Sequence, residues 1–141
     1  KIDLLKSTEI KALYEAINNS INIEARDLLL NILQKHEWVQ NKNLVRILKK
    51  PMLRLAAHYL LNEKGMADRA LDPVANFHLS NGAIMERLNW MSDISPNGLN
   101  QSAGIMINYL YDLNSIEENH EVYSGDNKIT VSSDIKNIIK E

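Results

Sequence analysis

Apolar residues recur at helical spacing through the first half of the chain, and that rhythm stops at Pro73. Ile10, Leu13, Tyr14 and Ile17 fall at i, i+3, i+4 and i+7, a single helix face that Ser7 is placed to cap. Asn18-Asn19-Ser20 interrupts it. Asn22 then reads as the cap of a second helix, with Glu24 in its first turn and Leu28, Leu29, Ile32 and Leu33 as the buried stripe. Asn41 and Asn43 open a short third helix through Leu48, and Pro51 suits the first turn of a fourth. The fourth turns Leu53, Ala56, Ala57, Leu60 and Leu61 inward, with Gly65 beyond its end. From Val74 to Leu79 the pattern alternates, so the spacing predicts a strand, and Asn81-Gly82 predicts a tight hairpin turn. The return run Ile84 to Trp90 fits a strand with Glu86 out of place, and it satisfies helical spacing as well. Ser92 to Asn100 reads as a loop, Ser102 to Leu113 as a helix, and Ser115 to Asn127 as an exposed loop. Lys128 to Val131 reads as a short strand, and Ser133 as the cap of a last helix. The expected class is therefore α+β: a helical segment over residues 1–70, then a hairpin and helices over 71–141.

Composition narrows the function. With 141 residues the chain suffices for one domain, or part of a larger one. Sixteen Lys and Arg against 18 Asp and Glu leave a net charge of −2. That balance argues against a nucleic-acid partner and against a polybasic membrane anchor. No apolar run approaches the roughly 18 residues that span a bilayer. The absence of Cys removes disulfides, thiolate catalysis and Cys-ligated metals. The chain begins at Lys1 without a signal-peptide layout, which suggests a processed or trimmed product, and a cytoplasmic location is expected.

Most catalytic motifs are missing: there is no Walker loop, no Gly-x-Gly-x-x-Gly, no nucleophile elbow and no His-Glu-x-x-His. The histidines at 36, 58, 78 and 120 lack ligand spacing, so no metal is expected. His58 suits a hydrogen-bonded packing role, and His36 and His120 suit solvated positions. His78 shares a face with Asn76 and stands three residues before Asn81-Gly82. On pattern it is either a polar group on an edge strand or the wall of a cleft, where a His can move protons near neutrality. Tyr109 and Tyr111 divide in the same way: one packs on the core and the other points its hydroxyl into a site. Pattern does not choose between them.

Three runs are more specific than their periodicity: Asp72-Pro73-Val74-Ala75-Asn76-Phe77-His78-Leu79-Ser80-Asn81-Gly82-Ala83, Arg87-Leu88-Asn89-Trp90-Met91-Ser92-Asp93, and Ser102-Ala103-Gly104-Ile105-Met106-Ile107-Asn108-Tyr109-Leu110-Tyr111. With Glu37-Trp38-Val39-Gln40, Leu44-Val45-Arg46 and Pro51-Met52-Leu53-Arg54-Leu55 upstream, they resemble the malonyl-CoA decarboxylase family in order. The resemblance covers roughly Glu37 to Leu113. It implies decarboxylation of malonyl-CoA to acetyl-CoA and CO2, with no metal or organic cofactor. It also implies a catalytic domain of the acetyltransferase (GNAT) type. The family's catalytic histidine carries over onto His78 and an active-site tyrosine onto Tyr111. Asn76 and Asn81 match motif positions, as substrate-site residues supplying supporting hydrogen bonds.

One departure qualifies that reading. The family pairs its histidine with a serine from a Ser-x-Ser-Pro-Ile-Pro-type motif, which this chain lacks; Ser95-Pro96 lies on the wrong side of His78. No Gly-rich loop for the CoA phosphates precedes the motif either. The chain therefore reads as a C-terminal part whose partners are the upstream catalytic domain, malonyl-CoA as substrate and further copies in a homo-oligomer. The alternatives are an acyl-CoA acyltransferase and a non-catalytic acyl-CoA-binding or assembly module.

Overall fold

The computed structural model describes residues 5–17 and 24–140. The expected break at Asn18-Asn19-Ser20 and the expected Asn22 cap lie outside them. The chain forms α1 (Ser7–Ala16), α2 (Ala25–Lys35), α3 (Lys42–Asn62), α4 (Pro73–Ser80), β1 (Ile84–Asn89), α5 (Pro96–Ser102), β2 (Met106–Leu110), α6 (Ile116–Asp126) and α7 (Ser133–Lys140). Short 3-10 turns occupy Glu37–Gln40 and Met66–Asp68. The class is α+β as expected, with a helical first half and a two-stranded antiparallel sheet. Packing groups the chain into two units: residues up to Leu53 with Trp90–Ile105, and Arg54–Asn89 with Met106–Glu141. The expected boundary at 70/71 falls inside the second.

In the first unit, Leu13, Leu28, Leu29, Trp38, Leu44 and Leu48 are buried, and the Trp38 and Trp90 rings lie 5.6 Å apart. Ser7 is the first residue of α1 rather than its cap; the Lys6 amide donates to Glu9 Oε1 at 2.8 Å. Asn41 does cap α3, its Oδ1 accepting from the Asn43 and Leu44 amides. Pro51 does not open a fourth helix but sits inside α3. Its ring removes a hydrogen bond to the Ile47 carbonyl, at a cost of about 3 kcal/mol. The helix continues because residues 51–54 are all buried, with Leu48 and Ala57 buried on either side. Burial of one large apolar side chain contributes about 1.5–3 kcal/mol, so several outweigh the lost bond.

The segment expected as a loop at Ser92–Asn100 contains most of α5, which Ser95 caps by accepting from the Gly98 amide at 3.1 Å, with Pro96 at the first helical position. Asp93 Oδ1 in turn accepts from the Ser95 amide and hydroxyl, which hold its carboxyl below the usual carboxylate range. Gly98 packs so closely on Asp93 that a Cβ there would stand 2.3 Å from its carboxyl carbon.

The second unit overturns the period-2 reading of Val74 to Leu79, which is the helix α4. Asp72 caps it, Oδ2 accepting from the Ala75 amide at 2.9 Å, and Pro73 fixes its first turn. Ala75 and Leu79, at i and i+4, are its buried pair. Asn81-Gly82 is accordingly a helix exit and not a hairpin turn: Asn81 keeps φ −92° and only Gly82 is positive, at +85°. A Cβ on Gly82 would lie 2.3 Å from the Ile116 carbonyl oxygen.

The strand expected at Ile84 to Trp90 is present as β1, and its partner is β2, within the run expected to be a helix. The helix in that region ends at Ser102, because Ala103 and Gly104 both take positive φ. Beyond them burial alternates residue by residue from Met106 to Leu110. The anomaly at Glu86 is a bulge: the pairs Met85↔Tyr109 and Arg87↔Asn108 bracket it. The extra residue resets the alternation, so Met85 and Leu88 are buried while Glu86 and Arg87 are exposed. The short strand expected at Lys128 to Val131 is reduced to an isolated parallel bridge of Val131 with Met85, and Ser132, not Ser133, caps α7 through the Ile135 amide.

Ser115 to Asn127, expected as a loop, is mostly α6. It is polar because little of it is buried; Asn119 and Tyr123, at i and i+4, carry the packing. Asn119 Nδ2 donates to the Gly82 carbonyl, and Tyr123 Oη accepts from the Ala70 amide at 2.9 Å.

Candidate active site

A helix cap and the end of β2 converge on one ring. Asp72 sets the start of α4, which places His78 in its last turn. Tyr109 lies in β2, and Tyr111 follows directly beyond the strand's end. The three meet. His78 Nδ1 lies 2.5 Å from Tyr111 Oη. The His78 imidazole stacks on the Tyr109 ring, centroids 4.2 Å apart and planes 21° from parallel. Phe77 stands edge-on to the same imidazole at 5.2 Å, and its own ring is 62% exposed. Aromatic pairs of this kind contribute about 0.5–1.5 kcal/mol each beyond burial.

The choice left open between the two tyrosines resolves into two placements. Tyr111 is exposed and offers its hydroxyl to His78. Tyr109 lies beneath, its hydroxyl buried with no hydrogen-bond partner among the described residues. Burial raises the Tyr109 phenol well above the usual tyrosine range, and the Asp72 carboxylate and then Tyr111 push in the same direction. Tyr59 is also raised, by burial first and then by Asp72, to whose Oδ1 its hydroxyl donates at 3.4 Å.

Asn76 and Asn81 share α4 and its exit with His78, and the structure engages one atom of each elsewhere. Asn76 Oδ1 accepts from Tyr123 Oη at 2.7 Å, and Asn81 Nδ2 donates to the Phe77 carbonyl at 2.8 Å. Of the other histidines, His58 Nδ1 accepts from Asn62 Nδ2. His36 closes α2 in the left-handed conformation. His120 is not merely solvated: its Nδ1 donates to the Ser80 carbonyl at 2.6 Å, satisfying the end of α4.

Phe77, Tyr59 and the electrostatic part of Asp72 were not singled out from pattern. Asp72-Pro73 carries a readable cap signature, whereas Tyr59 reaches Asp72 from 13 residues upstream and has no local signal. Elsewhere, in the first unit, Val39, Lys42, Val45, Arg46, Lys49, Trp90 and Met91 line an open groove. None of the site residues expected from the sequence, His78, Tyr111, Asn76 and Asn81, lines it.

Residues 6–141 match the family model described as the malonyl-CoA decarboxylase C-terminal domain. Mitochondrial malonyl-CoA decarboxylase of Anser anser anser is 38% identical over 139 residues, 99% of this chain and 27% of that protein. The Rattus norvegicus protein of the same name is 37% identical over the same length. The crystal structure of malonyl-CoA decarboxylase from Rhodopseudomonas palustris superposes with a TM-score of 0.76 at 39% identity, covering 92% of this chain and 30% of that one. The Agrobacterium vitis structure gives 0.75 at 32%, covering 96% and 33%. The expected cytoplasmic location gains nothing from these names, since the goose and rat relatives are called mitochondrial. No helix among the described residues is long and apolar enough to cross a membrane. This chain spans about a quarter to a third of the length of the relatives it matches, and it belongs to the malonyl-CoA decarboxylase family, over the family's C-terminal domain.

Proposed function

We propose that this chain carries the proton-donating part of an enzyme that converts malonyl-CoA to acetyl-CoA and CO2, with His78 as the acid. The observation that supports this most is the His78–Tyr111 contact, formed by residues 33 apart in a chain of this family. Decarboxylation breaks the bond between C2 and the carboxylate carbon and leaves the electron pair on the thioester enolate. A protonated His78 then gives its Nε2 proton to C2 while Nδ1–H remains directed at Tyr111 Oη, and water restores the lost proton. Tyr111 orients the imidazole so that Nε2 is left for substrate.

The enolate oxygen needs a donor of its own, worth about 3 kcal/mol by analogy with a single oxyanion-hole group. We assign that donor to the upstream part of the enzyme, where the family resemblance places its serine. Asn76 and Asn81 act as supporting groups, holding α4 to Tyr123 and closing the helix under His78. In the enzyme carrying this chain, His78→Ala lowers turnover of malonyl-CoA to acetyl-CoA by about 10²–10⁴-fold. Wild-type turnover in that variant would end the assignment.

A further inference from the structure

We propose that Tyr109 is a positioning residue for His78, its ring the seat that fixes the imidazole plane and its electron-rich face set against the ring that gives the proton. The proposal rests on the reading of His78 as the acid, and it adds a residue that acts only through His78. Two contacts define the imidazole: Tyr111 holds Nδ1 in the plane of the ring, and Tyr109 covers one face at 4.2 Å with the rings nearly parallel. Phe77, from the same helix as His78, meets it edge-on and provides no second stacked face. Rotating the imidazole would break the stack and the Nδ1 contact together. A cation within about 6 Å of an aromatic centroid is attracted by the negative π face. The imidazolium that donates the proton meets that face at 4.2 Å.

The Tyr109 hydroxyl is excluded as a proton-transfer group on the same geometry. It is buried, lacks a partner among the described residues, and is kept protonated by burial and by the Asp72 carboxylate. The ionisable groups around the pair are Tyr111 on Nδ1, and Asp72, which acts on Tyr109 and is itself bonded to Tyr59. The ring is therefore the working part of Tyr109.

The test compares Tyr109→Phe, Tyr109→Leu and a series of fluorinated phenylalanines at 109, all in the enzyme carrying this chain with malonyl-CoA as substrate. Phe keeps the π face, so kcat and KM stay at wild-type values. Leu removes the face, and kcat falls about tenfold at unchanged KM. Fluorination withdraws charge from the face while keeping the ring's shape, so log kcat declines stepwise from phenylalanine to pentafluorophenylalanine. The series also settles the matter if the Leu variant does not fold. A flat series, a loss confined to KM, or a Phe variant as slow as Leu overturns the proposal. His78→Ala, run alongside, separates the two ideas. An inactive His78→Ala with a flat fluorine series sinks only the role of Tyr109, whereas an active His78→Ala sinks the acid assignment beneath it.

Discussion

Among single residues, Tyr109 shows how a group can be placed for its ring and tolerated for its hydroxyl. An unpartnered buried hydroxyl costs about 1–3 kcal/mol. Tyr109→Phe is expected to leave stability unchanged or raise it by about 1 kcal/mol, measured by urea unfolding at pH 7. The same tyrosine gives a pH dependence of definite sign. In the unfolded chain tyrosines ionise near 10, while folded Tyr109 and Tyr59 hold their protons to higher pH. Above about pH 10 the native state therefore binds more protons than the unfolded state, and stability falls as pH rises. Unfolding free energies measured between pH 8 and 11 should show that decline, and it should be shallower in Tyr109→Phe. An equal decline in the variant would mean that other groups cause it.

The elements owe their ends to local chemistry and their partners to packing. Asp72 is the cap of α4, the charge acting on Tyr109 and the acceptor for Tyr59. Asp72→Ala removes the cap, which costs about 0.5–2 kcal/mol, and frees the helix that carries His78. Thermal unfolding should register the first effect, and a drop in kcat should register the second. A variant that loses stability at full kcat would show that α4 is held by its packing alone. The Asn41 cap was legible in advance, whereas the expected caps at Ser7 and Ser133 each fell one residue past the true cap. The strand–helix exchange at 74–79 and 106–110 was not legible. Five or six residues satisfy both periods, and what separates them is a cap before one run and two left-handed residues before the other.

For the molecule as a whole, the second unit is tied by bonds of long sequence separation. Tyr123 Oη accepts from Ala70 and donates to Asn76, across 53 and 47 residues, with the Arg69 guanidinium over its ring. Tyr123 is 1% exposed, so Tyr123→Phe leaves the Ala70 amide buried without a partner, and a loss of about 1–3 kcal/mol is expected in denaturant unfolding. A loss well below that range would mean that water replaces the hydroxyl.

The helical rhythm before Pro73 and the Asn41 cap were legible in the order of residues, because each depends on neighbours within a few positions, whereas His78 and Tyr111 were singled out only through the family resemblance. The pairing of Tyr111 with His78 was expected only through the family resemblance, and the side of His78 that Tyr109 covers was not expected at all. That depends on β2 lying beside β1 with a bulge at Glu86 and on α6 locking Gly82 at the end of α4. Such contacts join residues 17 to 37 apart, as Asn89 with Met106 and Gly82 with Asn119 show. Local propensity is silent at that range, where burial and hydrogen-bond satisfaction select one arrangement among several that the chain could form.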